Sequence, residues 1–200
     1  MRLRRGHEPE KRLAHIWNSA NCTACGACVV ACTATNYPEM LERVADKGHG
    51  GMPSNIRRIE GATAEGKPTL LLNQCQHCDN APCMRTCPFG AVYKDTNGLI
   101  RLDPRMCAGC KYCITSCPYN VRWVHPDNGL PMKCMGNGCL DLIAAGQKPA
   151  CVQACPANAR DFGDINDPGS SVSQTLRTKR NRRLLANSGA EPKYFIVEEA

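Results

Sequence analysis

Aromatic residues are scarce in this chain, 5% of 200 residues, with two tryptophans (Trp17, Trp123) and three phenylalanines. That is thin material for a large apolar core. Long apolar runs are missing too. The richest local stretches are "TLLL" (69–72) and "LDLIAA" (140–145), well short of the ~18 residues of a membrane span, so no direct span is expected. The N-terminal "MRLRRGHEPEKR" contains Arg4-Arg5 but no apolar stretch follows, as a twin-arginine export signal would need. The chain therefore reads as soluble and cytoplasmic. No Ser/His/Asp set and no phosphate-binding loop stands out, so no residue is assigned a catalytic role on substrate. The length suits one ordinary domain or two small ones.

What the chain has in excess is cysteine, 16 of 200 residues. They fall into four groups: Cys22, Cys25, Cys28, Cys32; Cys75, Cys78, Cys83, Cys87; Cys107, Cys110, Cys113, Cys117; and Cys134, Cys139, Cys151, Cys155. Each group ends in C-x3-C, and a proline follows in the last three (Pro88, Pro118, Pro156), where the first has Thr33. This is an internal repeat built on metal-ligand spacing. Disulfides fit poorly, because no secretion signal is visible and adjacent C-x2-C pairs make poor structural bridges. Structural zinc usually takes two well-separated C-x2-C pairs. Three cysteines followed by C-x3-C-P is instead the bacterial ferredoxin pattern for [4Fe–4S] clusters, whose fourth cysteine ligates the other cluster of a pair. Sixteen cysteines at four per cluster make four clusters, with none left over. A cluster is larger than a zinc ion, so the backbone must wrap closely for its N–H groups to reach sulfur. Thr23, Ala24, Gly26, Ala27, Ala108 and Gly109 are small enough to permit that approach.

The formal charge of +7 points toward nucleic acid, but it counts every cysteine as neutral. An oxidised cluster with its four thiolates carries about −2, so four such sites bring the net charge to about −1. Nucleic-acid binding loses its motivation. The run Arg177, Lys179, Arg180, Arg182, Arg183 stays basic and reads as a solvated or docking surface.

Between the cysteine groups, residues 91–103 read as a hairpin turning at Asn97-Gly98, and 121–130 as its counterpart turning at Asn128-Gly129. Residues 33–68 read as a long surface insertion, "QTLRTKRNRRLL" as a short helix and "KYFIVEE" as a strand. His77 lies inside the second group, where a surface or supporting role is expected because all four thiols are present. Tyr119 and Trp123 are expected to pack over a cluster.

Four ferredoxin-type motifs in this order, with "CPYNVR" after the third, "GQKPACVQACP…RDFGD" around the fourth and "EPKYFIV" near the end, resemble the four-cluster electron-transfer subunit of molybdopterin oxidoreductases of the polysulfide, thiosulfate and dimethyl sulfoxide reductase type. The resemblance covers nearly all of residues 13–198. It implies an α+β fold of two ferredoxin-like modules, each holding two [4Fe–4S] clusters, with long loops and little regular secondary structure. Residues 1–70 with 120–200 would form the outer module and 71–119 the inserted one. The implied ligand sets are Cys22, Cys25, Cys28 with Cys155; Cys134, Cys139, Cys151 with Cys32; Cys75, Cys78, Cys83 with Cys117; and Cys107, Cys110, Cys113 with Cys87. Some members replace the cysteine matching Cys110 and hold a three-iron cluster; here four irons are implied. Cys134 and Cys139 stand four residues apart, where members usually have two. The implied function is a non-catalytic relay of electrons between a large molybdenum- or tungsten-pterin catalytic subunit and a second redox partner, which would be a membrane-anchor, haem or flavin subunit. The implied order of clusters is motif one, four, three, two. The alternatives are a free-standing polyferredoxin, or a wiring subunit of a tungsten aldehyde oxidoreductase, hydrogenase or formate dehydrogenase. Subunits of this kind can also be exported to the periplasm alongside a signal-bearing partner.

Overall fold

The computed structural model describes residues 8–41 and 54–198. Strand β1 (Leu13–Asn18) alternates Leu-Ala-His-Ile-Trp-Asn and is buried on both faces. Such a strand needs cover on both sides. Ala14 and Ile16 pack with Val172 and Val197 on one side, while Trp17 joins Tyr194, Ile196, Cys28 and Cys151 on the other. The apolar material the chain is short of is thus supplied partly by cysteines, which are themselves core residues.

The first cysteine group leads into α1 (Ala27–Asn36). A hairpin, β2 (Ile56–Ala62) and β3 (Pro68–Gln74), follows in register from Ile56 opposite Gln74 to Ala62 opposite Pro68. The second group carries the short helix α2 (Pro82–Arg85), and the hairpin β4 (Val92–Lys94)–β5 (Ile100–Leu102) leads to the third group with α3 (Tyr112–Thr115). Strands β6 (Trp123–Val124) and β7 (Pro131–Met132) form another small hairpin before α4 (Asn137–Ala144) and α5 (Ala150–Gln153) of the fourth group. Strand β8 (Arg160–Asp164), helix α6 (Ser171–Thr178), strand β9 (Asn181–Arg182) and strand β10 (Tyr194–Val197) complete the chain. One sheet has the order β8-β1-β10-β9, with β1 parallel to β10 and antiparallel to β8. Among the described residues no helix is long and apolar enough to cross a membrane.

Both expected hairpins form, and "KYFIVEE" supplies β10. In the first, Asn97-Gly98 is the turn; Gly98 has φ +73, and a Cβ there would lie 2.8 Å from the Lys11 carbonyl. Two expectations need correction. Residues 33–68 are not one surface loop. Residues 33–36 finish α1, Tyr37 and Met40 are buried, and 56–62 are a paired strand; the Gly-rich piece, residues 42–53, lies outside the described residues. Strand β2 leaves no mark in the sequence because all but its first residue are exposed, so no apolar alternation signals it and only its backbone ladder to β3 does. The basic helix also lies earlier than expected. Ser170 caps it, its Oγ accepting from Ser173 N at 3.0 Å, and the chain turns extended by Lys179 into β9.

Candidate metal centres

The motif loops share a backbone rhythm. The residue before the second cysteine is left-handed in the first three groups: Ala24 (φ 57), His77 (φ 46) and Gly109 (φ 68). Gly26 and Lys111, just after the second cysteine, are left-handed as well (φ 79 and 64). So is the third residue after the last cysteine in groups two to four: Gly90, Asn120 and Asn158. Left-handed residues flanked by right-handed ones turn successive N–H groups toward one side, where an anionic sulfur can receive them. At the exposed Cys25, the Ala27 N–H followed by the Thr23 side chain lowers the thiol pKa. The Ala159 N–H lies 3.2 Å from Cys155 Sγ.

Three cavities lie inside these loops. One is lined by Cys22, Cys25, Cys28 and Cys155. A second has Cys75, Cys78, Cys83 and Cys117 on its wall, and a third has Cys87, Cys107, Cys110 and Cys113. The remaining four thiols, Cys32, Cys134, Cys139 and Cys151, are all buried and act on one another electrostatically. Among the described residues no three His, Cys, Asp or Glu side chains converge on a single-ion site. In the three cavities the thiols surround a space rather than a point, as a body of several atoms requires.

The electrostatics fit the same body. Burial raises the thiols of Cys28, Cys75, Cys113, Cys134 and Cys151, pushes Cys32 up to about 11, and raises Cys78 further still. Such thiols stay protonated near neutral pH until a metal displaces the proton. Three buried cations face them. Arg160 lines the Cys22–Cys155 cavity and hydrogen-bonds Gln74 Oε1, and Arg122 lines the Cys75–Cys117 cavity. Lys133 Nζ hydrogen-bonds the carbonyls of Ile100 and Cys134. Some of their N–H groups, Arg122 Nη1 and Nη2 and Arg160 Nε and Nη1, are buried with no hydrogen-bond partner. Four thiolates and a cluster core of about −2 in all would supply the missing acceptors.

The wide Cys134–Cys139 loop is accommodated by the end of α1. Asn36 Oδ1 accepts from the Cys139 N–H at 3.0 Å, and its Nδ2 donates to Cys139 Sγ at 3.3 Å and to the Cys32 carbonyl at 2.8 Å. His15 Nε2 and Gln74 Nε2 lie 3.8 and 3.9 Å from Cys134 Sγ. None of these polar partners was singled out from the sequence, because each lies far along the chain from the motif-four thiol it meets. His77 is buried rather than superficial; its Nδ1 accepts from Ile100 N at 3.0 Å, and its role is to brace the β4–β5 hairpin against motif two. Tyr119 lines the Cys75–Cys117 cavity as expected. Trp123 instead donates to Asn55 Oδ1 and packs edge-on to Tyr37.

Cys75 of motif two acts electrostatically on Cys134 of motif four, and Cys110 of motif three is exposed. Burial of Cys75, Cys78 and Cys83 fits an interior position.

Two family models, each described as "4Fe-4S dicluster domain", match residues 21–91 and 68–165. Protein NrfC of Escherichia coli is 38% identical over 93% of this chain and 80% of its own length. The thiosulfate reductase electron transfer subunit PhsB of Salmonella typhi is 40% identical over 90% of this chain and 89% of its own. The B component of the polysulfide reductase of Wolinella succinogenes is 34% identical over 94% of both. With sixteen cysteines that fit four [4Fe–4S] clusters, dicluster models that meet across the sequence and similarity of this extent, the chain belongs to the family of four-cluster iron–sulfur electron-transfer subunits of molybdopterin oxidoreductases.

Proposed function

We propose that this chain relays electrons between a molybdenum- or tungsten-pterin catalytic subunit and a second redox partner. The observation that carries the reading is the succession of thiol groups. Cys25 is exposed in motif one; motif four is next to it, then motif two, both with deeply buried thiols; Cys110 is exposed in motif three. Two surface ends joined through a buried interior suit passage of electrons through the protein.

The ligand sets we propose are Cys22, Cys25, Cys28 with Cys155; Cys32 with Cys134, Cys139, Cys151; Cys75, Cys78, Cys83 with Cys117; and Cys87 with Cys107, Cys110, Cys113. The cavity linings support three of them, and the Asn36 bridge between Cys32 and Cys139 supports the fourth. In this reading residues 1–70 with 120–200 make one two-cluster module and 71–119 the other. When bound, the clusters supply one-electron carriers. The chain's own part is to hold the thiolates at fixed positions, aim N–H groups at sulfur, place cations behind them and exclude water from the interior. We place the pterin subunit at the motif-one face and the second partner at the motif-three face.

Anaerobically purified protein is expected to be brown, with about sixteen iron atoms and as much acid-labile sulfide per chain. At native expression levels it should co-purify with a much larger pterin-containing subunit. Stoichiometric zinc with little iron overturns the metal assignment, and a free monomer of this chain points to the polyferredoxin alternative.

A further inference from the structure

Two arginines occupy the same place in the repeat. "CPYNVR" and "CPANAR" put Arg122 and Arg160 five residues after Cys117 and Cys155, the last cysteines of motifs three and four. In both, the asparagine two residues earlier is left-handed (Asn120 φ 49, Asn158 φ 48), and the arginine is driven inward, to 2% and 4% exposure. Motifs one and two carry Tyr37 and Val92 at that position. The pattern therefore occurs once in each proposed module.

A buried guanidinium normally demands a carboxylate. Buried Lys193 has one, Asp79 at 3.1 Å. Among the described residues no ion pair joins Arg122 or Arg160 to any carboxylate, and each leaves two N–H-bearing nitrogens without a hydrogen-bond partner. Their surroundings are sulfur from two motifs at a time. Cys83, Cys113 and Cys75 act on Arg122, joining motifs two and three; Cys151, Tyr194, Cys28 and Cys134 act on Arg160, the thiols joining motifs four and one. Burial alone would lower both arginines, and the thiols raise them.

We propose that Arg122 and Arg160 are potential-setting residues: each is a fixed cation shared by the two clusters of its module, the counter-charge that raises the reduction potential of both. This rests on the four-cluster reading with the ligand sets given above. The sign follows from charge. Reduction adds an electron to an already anionic site, and a nearby cation in a poorly solvated interior stabilises the more negative form. The same side chain serves two sites, so its removal should move potentials in pairs.

The test is potentiometric titration of the iron-replete holoprotein, followed by electron paramagnetic resonance. Arg160→Met is expected to lower the reduced-to-oxidised ratio of two of the four clusters about tenfold at a given poise, equivalent to a shift of about 59 mV for a one-electron couple. Arg122→Met should move the other two. Arg160→Lys and Arg122→Lys, which keep the charge, should restore most of the shift. Full iron with unmoved potentials in the Met variants overturns the proposal, and so does an equal shift in Met and Lys variants. If a Met variant loses iron, the Lys variant decides: iron retained at near-native potentials supports a charge role, and iron lost in both assigns the side chain to packing and overturns it. Iron content and the number of resonance signals in the unsubstituted protein test the four-cluster reading separately.

Discussion

A Cβ on Gly138 would fall on the carbonyl of Thr35, and one on Gly136 would lie 2.5 Å from Asn36 Oδ1. The four-residue spacing between Cys134 and Cys139 is therefore tolerated only because its glycines let the loop lie directly on the last turn of α1. There Asn36 supplies a hydrogen bond to the Cys139 N–H. Overpacking of this kind costs about 1–3 kcal/mol, and here it is concentrated beside one thiol group. Gly138→Ala is expected to release about four of the sixteen irons while the other three cluster signals persist. Iron assay with electron paramagnetic resonance checks it; retention of all four signals would mean that the loop can shift off α1. The wide spacing was legible in the sequence, with Gly136 and Gly138 inside it. The surface they fold against was not, since Thr35 and Asn36 lie about a hundred residues upstream.

At the scale of elements, α1 is a shared wall. Cys28 and Cys32 are four residues apart on one helix, hence on neighbouring turns of one face. Cys28 lines the cavity with Cys22 and Cys25, while Cys32 lies with Cys139 on either side of Asn36. The fourth motif mirrors this: Cys151 is buried in α5, and Cys155, beyond its end, lines the motif-one cavity. Cys32→Ser is accordingly expected to damage the cluster of Cys134, Cys139 and Cys151 and to leave that of Cys22, Cys25 and Cys28 largely intact, with Cys155→Ser doing the reverse. Loss of the motif-one signal in Cys32→Ser, with motif four untouched, would refute the exchange. The C-x3-C spacing already implied that the last cysteine leaves its own loop, because the turn begun at the third cysteine carries it away. Strand β2 had no comparable signal, its exposed side chains recording nothing of the pairing that holds it.

Across the whole molecule, the basic segment is only partly available to a partner. Arg182 pairs with Glu198 at 2.5 Å, and Arg183 lies over the Phe195 ring at 5.8 Å, so both are engaged with the end of the chain. Arg177, Lys179 and Arg180 follow one another from the end of α6, all three exposed. Charges at a rim act chiefly on association rate and its salt dependence. Replacing these three with Ala is expected to slow association with the catalytic subunit about tenfold at low ionic strength, with the difference closing at high salt and the iron content unchanged. Stopped-flow or surface-binding kinetics across a salt series measures it; a salt-independent loss, or loss of iron, would remove this surface from the interface.

The sequence by itself determined the chemistry: cysteine number, the three-plus-one spacing and the small residues between thiols dictate four iron–sulfur clusters, because ligand spacing within a loop of a dozen residues is a local property of the chain. It also determined the hairpins, whose Asn-Gly turns are local as well. Tertiary structure decided what depends on contacts between distant segments. It set which fourth cysteine shares a cavity with which three, that Cys75 of motif two acts on Cys134 of motif four, and that Arg122 and Arg160 are buried without carboxylates. The physical reason is that parallel pairing of β1 with β10, and packing of α1 against α5, bring the first thirty-odd residues onto the last fifty, and no short-range pattern encodes that closure.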